Sequence, residues 1–348
     1  MLTMILAMRM VVNNVAQNNI ARQIFIGGCS RSGTTLLGAM LGTHSRSICS
    51  PESHFKIELL RPLRGKTDEI ALTAVANRMI KHWRFTLWDV SLDTALIDQE
   101  ADGNSYADLL NWLISQYAAN EKKSEADIWV DHTPENVSYA DSLISLFPDA
   151  KFIHIVRDGR AVAASAIPLD WGPNTIIKAA RWWLRMVSFG LAAETLLPSN
   201  QIFRIRYEDL ITNTDACLQE ICHFLEIEYE PEMVQATGFR PPLYTTSQHK
   251  SVGQYPNRRS LDRWKTTLSA REIELFEHQT RNFLTYLGYP MKYALTAKGP
   301  SFRELQFSKV KELFVGEILN KFKWLIRSYP LWLKRDFYAF ARLSDSNN

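Results

Sequence analysis

Between residues 22 and 227 the chain alternates short apolar runs with longer stretches of helical period. The short runs are QIFIGG (23–28), RSICS (46–50), DIWVDH (127–132), KFIHIVR (151–157) and QIFRIRY (201–207). Each is rich in β-branched or aromatic residues and stops at a glycine or a polar residue, the signature of a buried strand. The intervening stretches are TTLLGAMLGTH (34–44), YADLLNWLISQYAAN (106–120), ENVSYADSLISLF (135–147), GRAVAASAI (159–167), IIKAARWWLRMVSFGLAAETLL (176–197) and DACLQEICHFLEI (215–227). In the first of these Leu36, Leu37, Met40 and Leu41 fall on one helical face. This alternation predicts an α/β fold, a three-layer sandwich with a mostly parallel central sheet of about five strands. Ligands in such folds bind at the carboxyl ends of the strands.

With 348 residues, 46% apolar and 22% charged, the chain has the make-up of an ordinary globular protein. No apolar run reaches the roughly 18 residues that span a bilayer. The opening MLTMILAMRMVV is interrupted by Arg9 and has neither a basic leader nor a small-residue cleavage site, so no signal peptide is expected. Cys29, Cys49, Cys217 and Cys222 form neither a disulfide framework nor a zinc pattern, and a cytoplasmic location with reduced thiols is the expectation.

Charge divides the chain unevenly. From Ser301 onward nine Lys/Arg face five Asp/Glu, so the tail is +4 while the whole chain is only +3. The expected organisation is a flexible segment over 1–20, one catalytic domain over 21–300, and a basic, aromatic helical appendage over 301–348. The appendage has two readings: a helix that docks its apolar face on the body, which is the favoured one, or peripheral contact with a membrane. No nucleic-acid partner is expected.

Candidate chemistry sits at every strand end. Gly28, four residues and Gly33 match a Walker loop, but Thr34 occupies the position of its lysine. The amides of Ser30 to Thr35 make an anion nest, the hydroxyls of Ser32, Thr34 and Thr35 add donors, and Arg31 adds a fixed fork of charge. With no lysine and no evident Walker-B aspartate, the loop suits a metal-free anhydride better than a Mg-nucleotide triphosphate. The other strand ends carry Glu52, His132, Arg157 with Arg160, and Arg206 with Tyr207. Each taken alone has an ordinary reading: Glu52 a solvated acid, His132 a cap for the helix near Pro134, Asp158 or Asp209 a helix N-terminal acid. Their convergence favours a site.

These motifs resemble those of the sulfotransferases that use 3′-phosphoadenosine 5′-phosphosulfate (PAPS), and within them the bacterial and tyrosylprotein type. Ser30-Arg31-Ser32-Gly33-Thr34-Thr35-Leu36 is similar to the family's 5′-phosphosulfate loop, and Arg157 with Ser165 to its 3′-phosphate pair. The resemblance implies a P-loop NTPase-like fold and sulfuryl transfer from PAPS to a hydroxyl acceptor, releasing 3′,5′-ADP without a metal. It implies that Arg31, Ser32, Gly33, Thr34, Thr35, Arg157, Ser165 and Tyr207 hold the nucleotide. Glu52, 21 residues after Arg31, falls where the tyrosylprotein members have their catalytic base, and an acid there is expected to gain basicity by modest desolvation. His132, in place of a frequent lysine, is the rival base or a donor to the leaving oxygen. The family's late lysine has three candidates here, Lys250, Arg258 and Arg259. Trp83, Phe85, Trp88 and Trp171 are candidates for the acceptor mouth. A P-loop kinase and a silent nucleotide-binding scaffold are the competing functions.

Overall fold

The computed structural model describes residues 20–60, 72–88, 90, 92, 94, 97, 105–242, 252–254 and 258–326. Five strands, β1 (Arg22–Gly28), β2 (Ser47–Ser50), β3 (Ile128–Asp131), β4 (Lys151–Val156) and β5 (Ile202–Arg206), form one sheet in the order β2-β3-β1-β4-β5. Every neighbouring pair is parallel; Phe25, for example, lies level with Asp131 on one side and Phe152 on the other. All five apolar runs of the sequence are strands.

Helices cover both faces, as a parallel sheet requires. Alternation along β1 directs Ile24 and Ile26 to one layer, with α1 (Thr34–Thr43), and Phe25 to the other. The Phe25 layer holds α2 (Phe55–Leu60), α3 (Leu72–Met79), α4 (Tyr106–Asn120) and α5 (Ala140–Leu146). A third cluster joins α6 (Gly159–Ala166) and α7 (Ile176–Leu196) near the end of β4. Beyond β5, α8 (Tyr207–Thr212) and α9 (Thr214–Leu225) return to the α1 layer. After the short α10 (Arg259–Asp262) and α11 (Trp264–Thr267), α12 (Ala270–Tyr286) packs on α7.

Local chemistry sets several of these boundaries. Ser105 with Asp108, Ser269 with Glu272 and Ser301 with Glu304 make capping boxes at the starts of α4, α12 and α13 (Phe302–Lys311). Asp158 caps α6 by accepting from the Arg160 amide, so its helix-terminal reading holds.

The topology fixes where a ligand can enter. From β1 the chain moves toward β2, and from β4 it moves to β5 on the opposite side. The crevice between the ends of β1 and β4 is therefore the switch point at which such folds take ligands.

Candidate active site

The loop after β1 is built for an anion. Gly33 precedes α1 at φ 105°, and a Cβ there would lie 2.4 Å from the Tyr207 ring, so only glycine fits. Arg31 also adopts a left-handed conformation, φ 75°, which curls the loop's amides inward. The first-turn amides of α1 have no carbonyl within the helix to pair with. Ser32, Thr34 and Thr35 are all buried, and the Ser32 hydroxyl has no hydrogen-bond partner in its buried position. A buried orphan hydroxyl in an amide nest fits a phosphate or sulfate oxygen.

The end of β4 closes on this loop. Arg31 Nε–H donates to Ser165 Oγ at 3.2 Å, and an Arg157 Nη1–H donates to the Arg31 carbonyl at 2.9 Å. The Arg157 guanidinium lies 4.2 Å from the centre of the Tyr207 ring. Burial and the charge of Arg157 lower the pKa of Arg31 from its usual value, the mark of a site short of negative charge. Arg31, Ser165, Arg157, Tyr207 and Gly33 are thus one contiguous cluster.

Across β1, on the β2–β3 side, lies an acid cluster. Glu52 Oε2 is 2.9 Å from His54 Nε2 and 3.4 Å from Arg84 Nη1, while His54 Nδ1 is 3.4 Å from Glu135 Oε2. Glu52 keeps 30% of its side chain exposed. Burial pushes its pKa up, but His54, His132 and Arg84 outweigh that and hold it at about 2. The expectation that desolvation would raise this acid is corrected: three cationic or potentially cationic neighbours win. A cavity of about 210 Å³ opens against His54 and Glu135.

A buried ion pair fixes the loop that carries Glu52. Lys56 Nζ donates to Asp131 Oδ2 at 2.9 Å, Asn136 Oδ1 at 2.7 Å and Ser53 Oγ at 3.0 Å, which uses all three ammonium protons. Asp131 also accepts from the Ser53 hydroxyl and, at 2.8 Å, from the Thr133 amide. Burial alone would raise the Asp131 pKa, but Lys56, Ser53 and Thr133 hold it well below the usual carboxylate range. Asn136 donates to the carbonyls of Ile26 and Asp131, each at 3.0 Å, joining β1 to β3.

His132 does not cap a helix; the turn at Pro134 has Thr133 at its N-cap and no side-chain cap bond. The imidazole is buried edge-on to Phe239, 4.7 Å between centroids, and both ring nitrogens lack a hydrogen-bond partner. Burial lowers its pKa, which favours the neutral ring.

Other sequence candidates divide. Phe85 and Trp88 are core residues, whereas Trp83 and Trp171 are 37% and 44% exposed. Arg258 donates to the Thr212 carbonyl at 2.7 Å, Arg259 opens α10, and Lys250 lies outside the described residues. His54, Lys56, Arg84, Asp131 and Asn136 were missed by sequence reasoning. A signal existed for two of them: Lys56 interrupts the apolar FKIELL, and Asp131 ends a wholly apolar strand, positions where a charge needs a partner.

A parallel sheet whose first strand delivers an anion loop lacking the Walker lysine is the framework of the P-loop-like transferases. Within that class the chain belongs to the Sulfotransferase family, whose model matches residues 23–231. An uncharacterized protein of Aquifex aeolicus is 28% identical over 252 residues, 70% of this chain and 30% of its own length. Protein-tyrosine sulfotransferase A of Caenorhabditis elegans is 23% identical over 222 residues, 62% of this chain and 53% of its own. Human protein-tyrosine sulfotransferase 1 is 32% identical over 145 residues, 41% of this chain and 33% of its own. The chain therefore spans about half or less of the length of each of these three relatives. The sulfotransferase domain of the Synechococcus PCC 7002 olefin synthase superposes with a TM-score of 0.55 at 23% identity, covering 78% of this chain and 96% of that one. The sulfotransferase domain of the curacin biosynthetic pathway gives 0.52 at 21%, covering 78% and 99%. Both share the fold.

Proposed function

We propose that the protein transfers a sulfuryl group from PAPS to a hydroxyl acceptor and releases 3′,5′-ADP. The observation that carries this reading is the 3.2 Å contact between Arg31 and Ser165, which sets two anion-binding stations side by side, one from β1 and one from β4. A donor with a 5′-phosphosulfate and a separate 3′-phosphate needs such a pair. ATP needs only one.

The acceptor oxygen attacks sulfur in line, the bond from sulfur to the bridging oxygen breaks, and 3′,5′-ADP departs with that oxygen. Arg31 and the amides of Ser32 to Thr35 offset charge growing on the leaving phosphate, while Arg157 and Ser165 hold the 3′-phosphate beside Tyr207. Glu52 takes the acceptor's proton. His132, neutral and unpartnered, donates a hydrogen bond toward the leaving oxygen. The relatives named protein-tyrosine sulfotransferases favour a phenolic acceptor. The low basicity of Glu52 favours it too, because a phenol with a pKa of about 10 yields its proton far more readily than an alkanol.

Thermal melting in excess EDTA tests the nucleotide reading. 3′,5′-ADP at a hundredfold excess over Kd stabilises by about 2.7 kcal/mol, a shift a melting curve resolves, and ATP gives little. Protection by ATP that depends on Mg would indicate a kinase instead. Transfer of labelled sulfate from PAPS to a phenol separates an enzyme from a silent scaffold.

A further inference from the structure

The segment after Ser301 is amphipathic in the opposite sense to a helix packed on a core. Glu304, Ser308, Glu312, Gly316, Asn320 and Trp324 recur every four residues and face the body, each buried or half-buried. Glu304 pairs with Arg271, Ser308 meets Thr175 at 2.8 Å, and Glu312 accepts from the Asn174 amide at 2.9 Å. Asn320 donates to Asn174 Oδ1 at 2.9 Å, and Trp324 meets Trp83 edge-on at 6.4 Å. The row that docks is mostly polar, with Leu305 packed beside it on the α6–α7 cluster and Trp324 at its end. The expected docking by the apolar face is not what the described residues do.

A second four-residue row, Phe302, Val310, Phe314, Ile318, Phe322 and Ile326, points away and is 55% to 74% exposed. Phe307, Leu313, Leu319 and Leu325 widen it. In a plain α-helix of 3.6 residues per turn, rows spaced by four would wind around the axis by about 40° per step. Residues Glu312–Leu319 are π-helical, and this wider turn offsets part of that winding. The result is an extended exposed apolar face over residues 302–326, interrupted at Gln306.

Charge selects what covers it. Residues 302–326 carry five bases, Arg303, Lys309, Lys311, Lys321 and Lys323, against three acids. All three acids are engaged: Glu304 with Arg271, Glu312 with Lys178 and Glu317 with Lys321. A second copy of this face would bring like charges together. Residues 327–348 hold four bases against two acids, so they too would repel it. A fluid, anionic apolar boundary matches both the charge and the phenylalanine-rich face.

We propose that residues 302–326 lie flat in the headgroup region of an anionic membrane, with the Phe314–Phe322 row inserted and the lysines on lipid phosphates. The Trp324–Trp83 contact adjoins Arg84, which reaches Glu52, so docking holds the acid cluster's mouth close to the lipid surface. The docking itself is independent of the reaction proposed above.

Co-sedimentation of the full chain with vesicles tests it. Binding to mixed phosphatidylcholine and phosphatidylglycerol vesicles is expected, falling as salt rises, with little binding to phosphatidylcholine alone. The double variant Phe314→Gln/Phe322→Gln should lose at least about tenfold in partitioning. Its melting temperature and its stabilisation by 3′,5′-ADP should stay close to those of the parent, because both side chains are more than half exposed. Failure of the full chain to sediment with the mixed vesicles overturns the proposal, as does equal binding to neutral ones. So does a stable dimer in solution that the double variant dissociates, since the face would then be a protein interface. Loss of the nucleotide response in the parent would instead count against the nucleotide reading and leave this one standing.

Discussion

His54 stands between two carboxylates, 2.9 Å from Glu52 through Nε2 and 3.4 Å from Glu135 through Nδ1. The imidazole therefore does for Glu52 what a capping group does for a helix end: it fixes the orientation of the acid and lowers its pKa.

Replacing His54 with Asn removes that hydrogen bond and its charge. The Glu52 pKa should rise from about 2 toward its ordinary 4.5 or above, because burial then acts with less opposition. An acid limb of kcat/KM absent from the parent above pH 5 should appear in the variant. A variant profile that stays flat to the same pH as the parent would show that His54 does not control this acid.

Glu52→Gln preserves shape and removes basicity. Turnover should fall by about 10²-fold or more, with the 3′,5′-ADP melting shift unchanged, and His132→Asn should cost less. The pH profile separates the two independently. A base held at about 2 leaves kcat/KM level down to pH 5, and an acid limb above that pH would point away from Glu52. Dominance of the His132→Asn loss would reverse the roles.

Gly33→Ala places a Cβ against the Tyr207 ring at a φ that alanine resists. A strain of about 1–3 kcal/mol should show as a lower melting temperature, and the shift induced by 3′,5′-ADP should largely vanish. A variant that melts and responds like the parent would mean the loop is more pliant than its contacts indicate.

Lys56→Met leaves Asp131 buried and unpaired. A loss of about 3–5 kcal/mol in urea denaturation is expected, much of it recovered in Lys56→Met/Asp131→Leu. The Asp131 pKa is lowered on folding, so its contribution is complete above the unfolded value of about 3.9 and fades only as pH falls through the folded one. In the variant burial acts on Asp131 without Lys56 to oppose it, so its pKa rises and the cost of Lys56→Met should shrink as pH falls. A cost that stays level at acid pH would show that Ser53 and Thr133 keep Asp131 ionised without the lysine.

The sheet was legible because its inner strands are buried on both faces and so read as short apolar runs; Ile24 to Ile26 could hardly be anything else, and the edge strand β5, with Arg204 exposed, still shows as β-branched and aromatic residues alternating with arginines. That Arg31, Ser165 and Arg157 meet was legible through motif spacing, since each stands at or just beyond the end of β1 or β4. Lys56 and Asn136 were not, because they act through partners some 75 to 110 residues away, Asp131 and Ile26, and pairing across that distance leaves no local period. The outward apolar row after Ser301 was misread for a related reason. A helical wheel at 3.6 residues per turn has no place for the π-helical turn that partly aligns it.

Asn136 grips the carbonyls of Ile26 and Asp131 and accepts from Lys56, so one amide rivets the half of the sheet that carries the anion loop to the half that carries Glu52. The proposed donor site hangs from β1 and β4, and the acid cluster from β2, β3 and the segment through Arg84. With the seam between them locked, the exposed positions of residues 72–88, Trp83 among them, can change without shifting the loop after β1.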